Sequence, residues 1–230
     1  DVAGDNQGNS FVLAVDFAKS QNRVRRTAVE KYSPDGQFIA QWVMDGGSGD
    51  GQLQIPTAID VDEKGNFYVV ELANNRVQKF DPSGKFLMKW ETLGETGDPF
   101  RGPYTVTIDK SGGVYVRDRN GVHRFTPEGE FLASWKIEGD PRGIAVDSDL
   151  NVYVIERQSH GVLKLDKTGE IISQWRCAGS GDSRLPHPAS IAAHPSGQVI
   201  VADLRNLSIQ RFTSEGQCVS QWGGWTDSEA

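Results

Sequence analysis

Short runs of apolar and polar residues recur along the chain, and their pattern is typical of β-strands. One kind of run, such as NFYVV, is apolar on both faces, because Phe67 and Val69 alternate with Tyr68 and Val70. A strand of this kind is expected in the interior of a layered structure. A second kind, such as FLASW, alternates apolar and polar residues toward its final tryptophan. This pattern predicts an outer strand with one solvated face.

The outer-strand pattern occurs five times and defines a tandem repeat. Each copy joins a turn to an apolar pair, a polar residue and a tryptophan: SPDGQFIAQW, DPSGKFLMKW, TPEGEFLASW, DKTGEIISQW and TSEGQCVSQW. These segments end at Trp42, Trp90, Trp135, Trp175 and Trp222. The units are roughly 40 to 50 residues long, and each contains four strand-like pieces, which we label a to d in chain order. The repeats cover approximately residues 1–42, 56–90, 103–135, 141–175 and 188–222.

Four antiparallel strands per unit at this spacing predict an all-β fold, a β-propeller with four-stranded blades. A solenoid is the alternative, but β-helix repeats are far shorter. In a propeller, the five repeated tryptophans should occupy equivalent places near the outer ends of their blades. We expect each of them to be largely buried against a neighbouring blade or connector.

The turns between pieces a and b agree with this arrangement, with one exception. DNQG, DEKG, DKSG and HPSG all end in glycine, which adopts the positive φ that closes such a turn. The fourth repeat reads DSDL and places Leu150 at that position. We therefore predict either a different turn there or a strained backbone at Leu150.

The second repeat resembles a known family. The run GSGDGQLQIPTAIDVDEKGNFYVVELANNRVQKFDPSGKFLMKW resembles an NHL repeat, with NNRV at residues 74–77 where the family's naming tripeptide falls. SHGV at residues 159–162 keeps a histidine there. The resemblance implies a single NHL-type propeller segment over residues 1–230, and NHL propellers typically have six blades. Because the tail GGWTDSEA resembles the start of another connector, we expect a part of a six-bladed or larger ring.

Composition and charge limit the classes of partner that the chain is expected to bind. The chain is 37% hydrophobic and 24% charged, as soluble globular proteins are. A run of about 18 apolar residues is absent from the sequence, so membrane insertion is not expected. The net charge of -7 argues against nucleic acid, because that affinity depends on cations that neutralise phosphates. Two cysteines leave the compartment undecided.

The histidines do not indicate a metal or catalytic site. All four fall at different positions of the repeat, and His123 takes the place of Gln78 in piece c. We interpret them as turn or surface histidines, and we predict no catalytic residue, metal or cofactor. A propeller hydrolase or lyase with a metal at the axis is the alternative.

Charged residues that repeat in every unit are interpreted as framework. Carboxylates end piece b at Glu71, Asp118, Glu156 and Asp203. They could collect a cation, but a bridge across the hairpin between b and c is favoured, as from Glu71 to Arg76. Arg119, Arg157 and Arg205 could act similarly in their own units. Cations also recur in piece c, at Lys31, Lys79, Arg124, Lys164 and Arg211.

Positions that vary at a rim are the candidates for binding. The residue that opens piece a changes between units and includes Tyr104 and Arg142, next to a short connector after Trp135. The first unit has a longer hairpin between b and c, with a basic cluster of Arg23, Arg25 and Arg26. Tyrosine and arginine are enriched at binding hot spots. The sequence thus predicts a non-enzymatic interaction scaffold, part of a larger assembly, that binds a protein or peptide through these five residues; RNA binding ranks third.

Overall fold

The computed structural model describes residues 1–17, 24–93, 98–176, 185, 187–194, 197–205 and 207–223. In this part of the chain all regular secondary structure is β-strand, and it forms five four-stranded antiparallel sheets. The sheets are the blades of a β-propeller, which confirms the predicted all-β class and the blade architecture. By its internal contacts the chain divides into two compact units, Asp1–Ser134 and Trp135–Ala230.

Each blade is built from strands that are consecutive in the sequence. The first two blades contain β1 (Val2–Gly4), β2 (Ser10–Phe17), β3 (Val24–Tyr32), β4 (Phe38–Asp45), β5 (Pro56–Val61), β6 (Phe67–Glu71), β7 (Arg76–Phe80) and β8 (Phe86–Trp90). The connector that follows contains a two-stranded ribbon, β9 (Thr92–Leu93) and β10 (Asp98–Pro99). The last three blades contain β11 (Thr105–Ile108), β12 (Val114–Arg117), β13 (Gly121–Phe125), β14 (Phe131–Lys136), β15 (Pro141–Val146), β16 (Val152–Glu156), β17 (Gly161–Leu165), β18 (Ile171–Arg176), β19 (Pro188–Ala193), β20 (Val199–Asp203), β21 (Ser208–Phe212) and β22 (Cys218–Gly223).

The second strand of the middle blades carries the core. Every residue of β6, β12 and β16 is buried, as expected for strands that are apolar on both faces. The fourth strands β8 and β14 alternate between exposed and more buried positions, as the pattern of piece d predicts. Apolar side chains of consecutive blades therefore meet in layers between the sheets.

The tryptophan at the end of piece d packs against the next blade along the chain. Its ring lies over the glycine of the turn between strands c and d of that blade, and a Cβ on Gly216 would be only 2.3 Å from Cγ of Trp175. This glycine also has a positive φ of 83°. Its conformation and its missing side chain are therefore both required. The same contact joins Trp42 to Gly84, Trp90 to Gly129 and Trp135 to Gly169.

The predicted burial of the tryptophans holds for some and fails for one. Trp90 and Trp135 are each 8% exposed and Trp175 is 7% exposed, whereas Trp42 is half-buried. Trp222 is 48% exposed, so the prediction is wrong for this residue. The physical reason is that, within the described residues of its own unit, no turn glycine covers it as Gly216 covers Trp175.

The strain predicted at Leu150 is present. The turn keeps its hydrogen bonds, because Leu150 N donates to Asp147 O at 3.1 Å and Asn151 N donates to Asp147 Oδ1 at 2.9 Å. The φ of Leu150 is 66°, in the left-handed region where the other turns have glycine. An unchanged turn therefore holds a leucine in a conformation that its Cβ disfavours.

The repeated cation of piece c belongs to the framework, as predicted. Lys79 Nζ lies 5.0 Å from the ring centre of Tyr68 and donates to Pro127 O, in the following blade, at 2.9 Å. Lys164 Nζ lies 5.5 Å from the ring centre of Tyr153 and likewise donates to a carbonyl of the following blade. These amines thus connect a ring in one sheet to the turn of the next sheet.

Candidate functional site

The carboxylates that end strand b hold the connectors in place. In blades two to five, one carboxylate oxygen accepts a hydrogen bond from a backbone N–H of the connector that enters the same blade. The pairs, at 2.8 to 2.9 Å, are Glu71 with Gln54, Asp118 with Arg101, Glu156 with Asp140 and Asp203 with His187. Because this contact repeats, it is architecture. Across the described residues, no three His, Cys, Asp or Glu side chains are grouped as a metal site would require.

The second blade shows the predicted ion pair across the hairpin. Arg76 Nε donates to Glu71 Oε2, and both side chains are buried. Arg76 also donates to Ser48 O at 2.7 Å and to Gln52 O at 2.8 Å in the connector. Gln78 Nε2 completes the arrangement by donating to Glu71 Oε2 at 2.8 Å. Glu71 and Arg76 are therefore both held by structural partners.

The third blade differs, because His123 stands where Gln78 stands in the second. The expectation of a turn or surface histidine is wrong: the side chain is 1% exposed. Its Nε2 lies 2.9 Å from Oδ1 of the buried Asp118, and its Nδ1 lies 2.9 Å from Oγ of Ser134. Nε2 and Oδ1 are close, but the Nε2–H is not aligned with Oδ1, so this contact is not a linear hydrogen bond.

The environment of Asp118 keeps this carboxylate charged. Burial acts to raise its pKa, but the interaction with His123 and the backbone N–H groups of Arg101 and Asn120 outweigh burial. The pKa of Asp118 therefore lies below its usual value. Arg101 N and Asn120 N donate to the two carboxylate oxygens at 2.8 and 2.7 Å. A fixed negative charge thus faces one nitrogen of the imidazole.

A cavity of about 270 Å³ opens beside this histidine. Its lining combines the apolar Leu93 and Pro99 with the polar or charged Asp98, Arg101, Asn120, His123 and Ser134. The hydroxyl of Ser134 is on an exposed residue, whereas the imidazole behind it is buried. An exposed hydroxyl beside a buried imidazole and a buried carboxylate is an arrangement that can support proton transfer.

Tyr104 lies beside a group of arginines, of which only Arg119 is singled out by the sequence, as a framework residue. The tyrosine is 46% exposed, and Arg117 Cζ lies 5.0 Å from the centre of its ring. Tyr104 N donates to Arg117 O at 2.9 Å. The exposed residues Arg101 and Arg119 are joined by a hydrogen bond from Arg119 N to Arg101 O at 3.1 Å. We call Arg101, Tyr104, Arg117 and Arg119 the aromatic–basic patch.

Arg142 is half-buried and is engaged by a neighbouring carboxylate. Its Nη2 and Nε donate to Asp140 Oδ2 at 2.8 and 3.1 Å. Arg157 Nη1 lies 3.8 Å from the same oxygen, so its ion pair is with Asp140 and not with Glu156, the carboxylate at the repeat position. Glu156 instead accepts hydrogen bonds from the backbone N–H groups of Asp140, Gln158 and Ser159. The charge of Arg142 is therefore partly neutralised.

The basic cluster of the first blade is only partly described. Arg23 lies outside the described residues. Arg25 and Arg26 are exposed in β3, between the buried Val24 and Thr27. A shift of register between β2 and β3 leaves Arg25 as an extra residue, which explains how two consecutive side chains both reach solvent. Arg26 Nε lies 3.9 Å from Oδ1 of an exposed aspartate in β4, a contact that contributes little to stability.

The described part of the chain contains no helix with the length and apolar character needed to cross a bilayer.

Comparisons with known proteins identify the fold and leave the function open. No family model matches the chain. It is 36% identical over 90 residues to peptidylglycine alpha-amidating monooxygenase of Rattus norvegicus, a match that covers 36% of the chain and 9% of that protein. Virginiamycin B lyase from Staphylococcus aureus has a similar structure, with a TM-score of 0.66, 15% identity, and coverage of 98% of this chain and 70% of the lyase. A chain of the nidogen/laminin complex has a TM-score of 0.69 at 14% identity, covering 96% of this chain and 78% of its own. One fold is thus shared with an enzyme and with a member of a protein complex.

Proposed function

We propose that this chain is an NHL-type propeller that acts as an interaction scaffold within a larger assembly and binds a protein or peptide segment. The proposed contact residues are Tyr104 with the rest of the aromatic–basic patch, together with Arg142, Arg25, Arg26 and Arg23. The NHL-type assignment is supported by the hairpin of the second blade, where Asn74 Nδ2 donates to Gly47 O at 3.0 Å and Arg76 is held by Glu71.

The single observation that carries this proposal is the exposed ring of Tyr104 above Arg117. The backbone hydrogen bond and the guanidinium beneath the ring fix the orientation of the side chain. A fixed aromatic side chain loses little conformational entropy when a partner binds, which favours affinity. Nothing in the repeat requires an aromatic residue at this position, because Thr57 stands there in the second blade.

The chemistry of the patch favours an acidic partner. Arg101 and Arg119 are exposed positive charges in a chain whose net charge is -7. A peptide with Asp or Glu beside an apolar residue would pair with these guanidinium groups and place the apolar residue against Tyr104. Nucleic acid is not proposed, because the chain carries a net charge of -7 and that affinity depends on cations that neutralise phosphates.

The test is a selection of short random peptides on the immobilised chain, followed by calorimetric titration of the selected peptide. We expect enrichment of Asp and Glu. The double variant Tyr104→Ala, Arg142→Ala should bind at least about tenfold more weakly, or about 1.4 kcal/mol, with a nearly unchanged melting temperature. Lys110→Ala is the matched control, since this exposed cation lies in a turn between strands a and b, at the other end of the strands. Undiminished binding by the double variant would reject the site.

A further inference from the structure

We propose that Ser134 is a nucleophile activated by His123, and that the cavity beside it accepts a small carboxylic ester. This activity goes beyond the proposed interaction role and does not depend on it. Three features carry it: an exposed hydroxyl 2.9 Å from an imidazole nitrogen, a buried carboxylate 2.9 Å from the other nitrogen, and a cavity at the hydroxyl.

The framework does not require this combination of residues. The register of the sheets places His123 opposite Val116, as Gln78 is opposite Val69 and Gln210 is opposite Val201. Gln78 reaches the carboxylate of its own blade without supplying a base. On strand d, Lys89 is paired with Gln78 in the second blade, and Gln221 is paired with Gln210 in the fifth. The third blade has Ser134 at the equivalent position, one residue before the repeated tryptophan. Both members of the pair therefore depart from the repeat in one blade.

The geometry fits activation of a hydroxyl. A base must lie within hydrogen-bond reach of the nucleophile, and a third group must orient the base. Ser134 and His123 meet the first condition at 2.9 Å. The mechanism uses the neutral tautomer that carries its proton on Nε2, toward Asp118. Asp118 is a positioning residue. Its charge stabilises the imidazolium although the Nε2–H is not aligned with Oδ1, because Coulomb attraction depends on distance.

The proposed reaction is acyl transfer to Ser134. Oγ attacks the carbonyl carbon of the ester and forms a C–O bond, while its proton passes to Nδ1 of His123. The bond from carbon to the leaving oxygen then breaks, and that oxygen takes the proton from the imidazolium. Water attacks the acyl-serine by the same route and releases the acid. Arg101, which lines the cavity, supplies positive charge for the oxyanion. The volume of about 270 Å³ suits a short acyl group.

The test uses a small alkyl fluorophosphonate, in which attack by a serine forms an O–P bond and displaces fluoride. The intact chain is incubated with the probe, and the modified residue is located by peptide mass spectrometry. We expect one label, on Ser134, and no label in Ser134→Ala. Ser173→Ala is the matched control, because this serine lies on the fourth strand of the next blade, where strand c has no histidine, and its loss should not change the labelling.

Two further variants test whether Ser134 reacts because His123 activates it or only because its hydroxyl is accessible to the probe. His123→Gln installs the residue of the second and fifth blades, so the melting temperature should be kept while the labelling rate falls about 100-fold or more. Asp118→Asn should lower the rate at saturating probe and leave the half-saturating concentration unchanged. Failure to label Ser134, or equal rates for the wild type and His123→Gln, would overturn the proposal. An unchanged maximal rate in Asp118→Asn would remove Asp118 from it.

Discussion

Two tryptophans of the second compact unit, Trp135–Ala230, have nearly the same local sequence and opposite environments. Trp175 ends IISQW and is 7% exposed, whereas Trp222 ends CVSQW and is 48% exposed. Each is the next-to-last residue of the fourth strand of its blade. The difference lies in what covers the ring: Gly216 lies against Trp175, whereas the ring of Trp222 has Arg211 Cζ at 5.5 Å.

The burial of piece d therefore depends on the following blade and not on the sequence of the strand itself. Around Trp222 the last described blade also exposes apolar residues, among them Leu207, Ile209 and Val219. The corresponding side of the fourth blade faces a neighbouring sheet, where Ile155, Trp175 and Phe212 belong to one apolar cluster. The same repeat thus produces a packed surface in one place and a solvated one in another.

The largest expected effect separates the two tryptophans directly. Trp175→Ala removes a buried indole and should lower the free energy of unfolding by about 3 to 5 kcal/mol. Trp222→Ala removes a half-exposed one and should cost about 1 kcal/mol or less. Urea titrations of both variants, followed by circular dichroism, measure the two losses. Equal losses would show that the covering turn does not stabilise Trp175.

A smaller loss of stability is expected when the covering glycine, Gly216, is changed instead of the indole ring of Trp175. Gly216→Ala should destabilise by about 3 kcal/mol, because the methyl group meets Trp175 and alanine disfavours the positive φ. Gly197→Ala is the matched control in the same blade: its φ is 79°, but nothing lies within 4 Å of the added Cβ. It should therefore show only the backbone strain, about 1 kcal/mol. If the two variants are equally stable, the steric part of the argument is wrong.

The strands were predictable because their signals are local. Alternation within five residues identifies β6 or β16, and a missing glycine is enough to predict the strain at Leu150. The exposure of Trp222 could not be predicted in this way, because it depends on another sheet. Two sequences that differ little around the tryptophan cannot encode two environments by themselves.

The candidate sites were only half predictable for the same reason. Tyr104 stands out because it varies at a repeat position, but its partner Arg117 is on the adjacent strand and carries no signal of its own. The sequence places His123 on strand c, but it does not show the neighbours of the buried ring: Asp118, Ser134 and Phe100 of the connector, whose ring centre is 6.0 Å away. Distances between strands decide the chemistry, and a repeat alignment does not contain them.

In the first compact unit, Asp1–Ser134, a polar contact also joins consecutive blades. Asp60 in β5 accepts hydrogen bonds from Ile108 N in the next blade at 2.7 Å and from Val61 N at 2.8 Å. Burial raises the pKa of Asp60 from its usual value of 3.8 to about 6, despite these hydrogen bonds. The folded chain therefore binds this proton more tightly than the unfolded chain. The resulting stabilisation is present below about pH 4 and is lost as the pH rises through about 6.

Asp60→Asn should remove that dependence on pH. The stability of the wild type relative to the variant should fall by at most about 3 kcal/mol between pH 4 and pH 7, an upper bound because Asp60 keeps some contact with solvent. Chemical denaturation at several pH values measures this difference, in which the titration of the other carboxyl groups cancels. The exposed Asp35→Asn serves as the control. Parallel curves for the wild type and Asp60→Asn would show that Asp60 titrates as an ordinary carboxyl group.

The smallest expected effect on stability concerns the a–b turn of the fourth blade, which has leucine where that of the fifth blade has glycine. Both turns close with a residue of positive φ, but Leu150 does so at 66° and Gly197 at 79°. Leu150→Gly removes the clash of Cβ with its own backbone, at the cost of a more flexible unfolded chain. We expect a net gain of about 1 kcal/mol in the free energy of unfolding, seen as a higher urea midpoint with an unchanged slope. Leu150→Ala keeps the Cβ and should show no such gain. A glycine variant no more stable than the alanine variant would mean that a Cβ adds no net strain in this turn.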